Sequence, residues 1–343
     1  MRVFRLFFIL LIISLISATS AYIIYDKALN KELAVSEDGF ILEIKKGQTL
    51  NSVLNELKKK KVLQTLWPSK VYARVNNLAG RIQAGEFNIS RPMSFPELLD
   101  YISANNQVTY SIQFIEGLSY KDALSTLISH DKLEHELNNV SEADIVKKLG
   151  IENSDHLEGQ FYPDTYHFHK GDSDLDILMR SHQRLRTILE EEWAKRQENL
   201  PLENAYEALI LASIIEKETG VPEERSEISG VFIRRLLKNM RLQTDPTVIY
   251  GLGDTYQGNI TRKHLTQYTA YNTYRISGLP PTPIALVGRA AIHAALNPKQ
   301  GKSLYFVAKG DGSHYFSETI AEHNKAVRQY QLKRRSDYRS SVQ

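Results

Sequence analysis

From Leu6 to Tyr25 the chain reads LFFILLIISLISATSAYIIY, a run without a single charged residue. A helix of that length crosses the roughly 30 Å hydrocarbon core of a bilayer, so the segment predicts a transmembrane helix over 6–25. Arg2 and Arg5 precede the run and Asp26 follows it. The positive-inside rule then leaves residues 1–5 as a cytoplasmic tail and puts everything beyond Asp26 on the outer side of the membrane. A cleaved signal peptide competes with this reading, because Ala18-Thr19-Ser20-Ala21 offers small residues at a cleavage position. The apolar run continues past that point through Tyr22-Ile23-Ile24-Tyr25, with tyrosines suited to a membrane interface, which favours an uncleaved anchor.

What remains of the 343 residues is enough for two folded units. A hydrophobic content of 42% and a charged content of 24% belong to ordinary globular protein. The net charge of +3 comes without a basic stripe carrying interleaved aromatics, so nucleic acid is not an expected partner. Cysteine is absent, which excludes disulfides, thiolate metal sites and cysteine nucleophiles. Nothing in the sequence calls for a metal or a cofactor.

Residues 26–38 are polar and mixed in charge and read as a spacer. Then Phe40, Leu42 and Ile44 alternate with Ile41 and Glu43 as a half-buried strand. Gly47 turns the chain, Thr49 can cap, and Leu50, Val53, Leu54 and Leu57 form a helical stripe. Lys58 to Lys61 fall in the last turn of that helix, where cations oppose its negative end. A similar unit follows in SIQFIEGLSYKDALSTL, with Gly117, Ser119, Leu124 and Leu127 matching Gly47, Thr49, Leu54 and Leu57. The strand–turn–helix from Phe40 resembles the small glycan-binding LysM module, and residues 39–108 are read as that module. A packing domain without a ligand fits the same pattern. Residues 109–343 form the second unit, with helices expected over 174–200, 204–219 and 226–240, a strand over 304–308 and a last helix from about Glu318. The fold class is α+β: a transmembrane helix, a LysM-like β/α module and a mixed α+β domain.

The segment NAYEALILASIIEKETG is the most informative. Asn204 can cap a helix, Glu207 can answer it, and Gly220 stands where a left-handed cap belongs. Ala208 to Ile215 are almost all apolar or small, so the helix is buried on most sides and delivers Glu216, Lys217 and Glu218 at its end. Helical spacing stacks Glu218 over Leu211, Ile214 and Ile215, and Glu216 over Leu209, Ala212 and Ser213. Burial and the helix dipole both disfavour an anion there, which raises the pKa toward what a general acid needs. A solvated helix end with its glutamates paired to Lys217 or Arg225 fits the same residues. Around it stand turn-rich, polar-aromatic stretches: GQFYPD (159–164), RLQTDPTVIYG (241–251), AYNTY (270–274) and GLPPTPI (278–284). Loops of this kind line carbohydrate grooves, and their prolines also suit tight turns. His167 and His169 alternate as strand ligands would, without further ligands nearby, and fit an exposed strand face better. His314 and His323 fit hydrogen bonding in a turn and a helix.

ASIIEKET, RLQTDPTVIYG, AYNTY, GLPPTPI and the closing SHYFSETIAEHN resemble, in order and spacing, the endolytic murein transglycosylases, the MltG or YceG-like family, from about residue 40 to residue 330. The resemblance implies a membrane-bound lytic transglycosylase that cuts MurNAc–GlcNAc bonds inside nascent peptidoglycan strands. Such an enzyme leaves 1,6-anhydro-MurNAc ends and limits strand elongation. It places the catalytic glutamate on the second Glu of EKE, here Glu218. Where family members often carry Pro-Gly this chain has Val287-Gly288, which bears on the rigidity of that loop. Glycosidases commonly use two carboxyls. Here one suffices, because the sugar's own 6-hydroxyl can attack while Glu218 gives and then takes a proton. Gln243, Asp245, Tyr271 and Asn272 are the candidates for holding the sugar and its developing positive charge. The expected partners are glycan strands, the membrane and peptidoglycan synthases, and the expected location is the inner membrane with the folded units in the periplasm. A non-catalytic glycan-binding scaffold and a hydrolytic muramidase using water are the alternatives.

Overall fold

The computed structural model describes residues 2–332 apart from Arg81 and Asn153. Met1 of the expected tail and residues 333–343 of the expected second unit lie outside the described residues. The chain divides into two compact units, Met1–Tyr110 with Phe168–Gly171, and Ser111–His167 with Asp172–Gln343.

In the first unit, helix α1 spans Arg2–Leu29 and is long and apolar enough to cross a membrane. The spacer expected over 26–38 is different in the structure. Helix α1 runs on through Leu29, and Leu29 and Leu33 are buried among the small unit's core residues, because both are leucines in an otherwise polar stretch. Strand β1 (Phe40–Ile44) pairs antiparallel with β2 (Gly85–Ile89), and between them lie α2 (Leu50–Lys59) and α3 (Trp67–Val75). Thr49 caps α2 through the Ser52 amide, and Leu50, Val53, Leu54 and Leu57 are all buried, as the stripe predicts. Lys60 caps the other end of α2 and pairs with Glu56 at 3.4 Å. Helix α4 (Phe95–Ser103) closes this core behind a Ser94–Glu97 capping box.

The second unit begins in β3 (Tyr110–Gln113), which pairs with β4 (Thr165–Phe168). Between them lie α5 (Tyr120–Ile128) and α6 (Glu142–Leu149). Helix α5 is capped by Ser119 and Asp122 and buries Ala123 and Leu127, so the second strand–turn–helix forms as read. Helix α7 (Asp174–Ala194) ends before Leu200, the boundary expected from its pattern. Helix α8 (Ala205–Glu218) is the centre of the unit's core, with Ala208 to Ile215 at 4% exposure or less. Helices α9 (Arg225–Leu237), α10 (Asp245–Leu252), α11 (Arg262–Thr266) and α12 (Arg289–Leu296) follow. The last three occupy stretches read as turns and extended segments. Each is short and flanked by breakers, and α12, whose alanines favour a helix, packs on α8. Strands β5 (Tyr305–Ala308) and β6 (His314–Ser317) pair antiparallel, and α13 (Ile320–Tyr330) completes the unit behind a Thr319–Glu322 capping box.

Candidate active site

Asn204 caps α8 by accepting from the Glu207 amide at 3.0 Å, and the Glu207 carboxylate accepts from Glu203 rather than from the cap itself. At the other end the chain leaves in extended form at Thr219 (φ −144°, ψ 136°). The left-handed cap expected at Gly220 is therefore not formed. The extended exit turns Thr219 inward, where its hydroxyl accepts from the Val221 amide at 3.0 Å.

The two glutamates are distinguished by their partners more than by the grease beneath them. Glu216 stands on the helix face of Leu209, Ala212 and Ser213, all 0% exposed, so that face is as dry as the one under Glu218. Its carboxylate accepts from the Gly288 amide at 3.1 Å and from Arg225 at 3.3 Å. Burial and the nearby Glu116 raise its pKa while Arg225 opposes them. Glu218 has no such cation among the described residues. The Thr244 hydroxyl donates to its Oε1, burial pushes its pKa up to about 7, and the negative charge of Asp245 adds to the rise. The ion pair with Arg225 that the sequence allowed for both glutamates forms only at Glu216. Lys217 points elsewhere, to the Gly117 carbonyl at 3.0 Å.

The loops of the sequence reading converge on this helix through buried hydroxyls. Thr244, Thr247 and Thr273 are each 2% exposed or less. The Thr244 amide donates to Thr273 Oγ1 at 3.0 Å, and Thr247 and Thr273 share a hydrogen bond at 2.8 Å. This ties RLQTDPTVIYG to AYNTY. Ser213 on α8 accepts from the Ile284 amide at 3.0 Å, which ties GLPPTPI to the helix. Gly159 of GQFYPD has φ +72°, and a Cβ there would come within 2.3 Å of Pro283, so only glycine lets these two loops close on each other. Val287, where the family pattern has proline, is fully buried, and the neighbouring Gly288 amide serves Glu216.

The four candidate sugar-holding residues divide. Asp245 is the first residue of α10, is felt by Glu218, and accepts from the Tyr274 hydroxyl at 2.7 Å. Gln243 precedes Thr244 in the left-handed region at φ +51°. Tyr271 and Asn272 are engaged elsewhere. The Tyr271 hydroxyl bonds Thr282 at 2.8 Å and its ring meets Tyr250 edge-on at 4.7 Å. Asn272 is 1% exposed, and its amide donates to the carbonyls of His264 and Gln267 at 3.1 and 2.6 Å. Asn272→Ala is therefore expected to lower the melting temperature, since it removes the hydrogen bonds of a buried amide, at about 1–3 kcal/mol. A thermal melt identical to wild type would show that these bonds carry no weight.

Residues 42–329 match the model of the YceG-like family. The chain belongs to that family. An endolytic murein transglycosylase of Bacillus subtilis is 28% identical over 306 residues, covering 84% of this chain and 84% of the relative. One of the same name from Streptococcus pneumoniae is 24% identical over 302 residues. That match covers 76% of this chain and 52% of the relative, so the chain spans about half the pneumococcal protein's length. The crystal structure of a YceG-like protein from Listeria monocytogenes superposes with a TM-score of 0.55 at 29% identity, over 84% of this chain and 99% of that one.

This YceG-like site also contains residues that motif reading passes over. Arg235, 7% exposed, donates to the Leu304 carbonyl at 2.7 Å and to the Arg241 and Leu242 carbonyls at 3.0 Å. It also reaches Gln243 Oε1 at 3.2 Å and lies over the Tyr305 ring. It pins the loop that carries Gln243, Thr244 and Asp245 against β5. The closing motif supports the same region from behind. His314 bonds Glu224 at 2.7 Å, and His323 stacks on Tyr305 at 5.3 Å. On sequence Arg235 is one of two arginines near the end of an amphipathic helix, and nothing local marks it.

Glu158 is a further buried acid, one whose raised pKa sequence reading missed. It is 2% exposed and accepts from the Tyr120 amide at 3.0 Å and the Tyr250 hydroxyl at 3.1 Å. Burial nonetheless pushes its pKa up to about 7. A carboxyl raised by folding favours the folded state at low pH and loses that contribution as pH rises through the folded value. Relative to Glu158→Gln, the wild type is thus expected to lose roughly 2–3 kcal/mol of stability between pH 5 and pH 8. Chemical denaturation of both proteins across that range checks it, and a difference flat in pH would contradict it.

Proposed function

We propose that this chain is an endolytic lytic transglycosylase of peptidoglycan, anchored by α1, with Glu218 as its acid and base. The observation that carries the reading is a lone carboxyl at the end of a buried helix, pushed up to about 7 and free of any ion-pair partner among the described residues. The names of the relatives agree with it. A carboxyl in that state is partly protonated near neutral pH, as donation to a leaving oxygen requires.

The reaction needs one residue in two roles. Protonated Glu218 gives its proton to the glycosidic oxygen as the bond from MurNAc C1 breaks, and the GlcNAc side leaves as an alcohol. The MurNAc 6-hydroxyl oxygen then bonds to C1, and its proton passes to the Glu218 carboxylate. The result is a 1,6-anhydro-MurNAc end and a regenerated acid, with no water consumed. Asp245 supplies negative charge beside the oxocarbenium-like centre, and Gln243 offers its amide to sugar hydroxyls. Tyr271 and Asn272 act one step back, by shaping the loops. The β-α-α-β order and antiparallel strand pair of the first unit support a LysM-like role for residues 39–108 in holding the strand, with residues 109–343 as the catalytic domain. Arg2 and Arg5, in the first turns of α1 ahead of its uncharged run, support an inner-membrane protein with its N-terminus in the cytoplasm and both units outside. Such an enzyme would shorten strands as peptidoglycan synthases extend them.

Uncleaved glycan strands incubated with the purified chain test the reading. Internal cutting shortens the whole length distribution from the earliest times, whereas a glycan-binding scaffold leaves it unchanged. Thr244→Val adds a pH test. The Thr244 hydroxyl stabilises the Glu218 anion, so its loss raises the pKa further. The acid form then persists to higher pH, and the alkaline limb of the rate profile is expected to move upward. A downward move would mean that Thr244 does not donate to Glu218 in the working enzyme.

A further inference from the structure

Helix α3 has an inner face and an outer face of opposite kinds. Pro68, Ser69 and Ala73 are buried, and the Tyr72 ring meets Phe95 edge-on at 6.4 Å. The outer face carries Trp67, Val71 and Val75 at a spacing of four, which places them in one stripe. They are 48%, 43% and 76% exposed, unusual values for three apolar side chains in a row on a surface helix. Lys70 and Arg74 stand beside the stripe, exposed and without an ion pair among the described residues.

What covers this face follows from its neighbour. Helix α3 packs against α1, and the Trp67 ring lies 5.9 Å from the ring of Tyr25. Tyr25 is the last residue of the uncharged run, so it marks the level at which α1 leaves the hydrocarbon core. Trp67 is held at that same level, where the indole ring suits a medium apolar on one side and wet on the other. Lysine and arginine lay their stems along apolar surface and present their charge to phosphates. Tryptophan, two valines and two cations on one helix face form a pattern for the lipid headgroup layer.

We propose that the outer face of α3, Trp67, Lys70, Val71, Arg74 and Val75, lies in the headgroup layer of the anionic bilayer that α1 enters. The inference rests on the reading of α1 as a membrane span. Because α1 is packed against this unit through Leu29 and α3, the outer face of α3 adds a second point of attachment that fixes the tilt of the small unit against the bilayer. A single spanning helix would leave that tilt free.

The full chain, which has no cysteine, is reconstituted in vesicles of phosphatidylcholine and phosphatidylglycerol. Single spin labels are placed through Val71→Cys and Val75→Cys, with Ile320→Cys on the other unit as the aqueous reference. Both α3 labels are expected to be severalfold more accessible to oxygen than to a nickel chelate, and the reference label to show the reverse. Trp67 emission, isolated by Trp193→Phe, is expected to be quenched severalfold by lipids brominated near the headgroup. Labels on α3 that behave like the reference, in protein that carbonate does not extract, would overturn the inference and leave the anchor reading standing. Protein that carbonate extracts would overturn both. Labels shielded from both reagents and broadened by one another would mean that a second copy covers the face, which also overturns it.

Discussion

Glu218→Gln is expected to abolish strand cleavage in a protein that stays folded. The substitution keeps the shape of the side chain and an oxygen for the Thr244 hydroxyl, and removes only the transferable proton. General acid–base catalysis contributes about 10²–10⁴-fold. With one residue serving both roles, a loss of at least ~10³-fold is expected, equivalent to roughly 4 kcal/mol of barrier. The fold should gain slightly above pH 7. The wild-type carboxyl, with its pKa raised to about 7, is then ionised over an apolar bed, and a neutral amide is cheaper to hold there. Glu216→Gln behaves differently. Its carboxylate serves Arg225 and the Gly288 amide, so the substitution should weaken the fold and leave measurable turnover per folded molecule. An active Glu218→Gln beside a dead, folded Glu216→Gln would reverse the assignment.

Arg235→Met should have the largest effect on stability. A buried guanidinium that satisfies the Leu304, Arg241 and Leu242 carbonyls is replaced by a side chain that satisfies none. The Leu242 carbonyl is buried and the other two are partly so, and an orphaned buried acceptor costs about 1–3 kcal/mol, so a loss of about 3 kcal/mol is expected. In a unit of this size that corresponds to a fall of roughly 10 °C in melting temperature. Turnover of the folded fraction should fall as well. Gln243 occupies the left-handed region at φ +51°, a conformation that costs a non-glycine residue and persists only while its surroundings enforce it. Once the loop relaxes, Thr244 no longer reaches Glu218. Arg235→Lys keeps the charge but loses the planar fork, and should lie between the two. A Met variant that melts and turns over like wild type would remove Arg235 from the account.

Local features of the chain were readable where short-range physics decides them. The uncharged run, the caps at Thr49, Ser119 and Asn204 and the buried stripe of α2 all form as their spacing requires. The apolar bed under Glu218 was also legible, because helical periodicity alone puts Leu211, Ile214 and Ile215 beneath it. Long-range pairings were not. Arg225 neutralises Glu216 and not Glu218, and Arg235 reaches across to residues 304 and 241–243. Asn272, which reads as a sugar-binding amide, spends its donors on the 264–267 turn. Glu158 gave no signal, since a carboxylate between a leucine and a glycine looks like a solvated turn until Tyr120 and Tyr250 close over it. Helices α10 and α12 were hidden because proline and glycine at their starts look like loop chemistry, whereas both residues also open helices.

In the proposed reaction one carboxyl and the sugar's own hydroxyl complete the cleavage without water. Mass spectrometry of the muropeptide ends released from intact glycan strands tests this directly. The wild type is expected to release 1,6-anhydro-MurNAc ends and Glu218→Gln none. Wild-type ends heavier by one water, carrying label when the reaction is run in ¹⁸O-water, would show hydrolysis and contradict it.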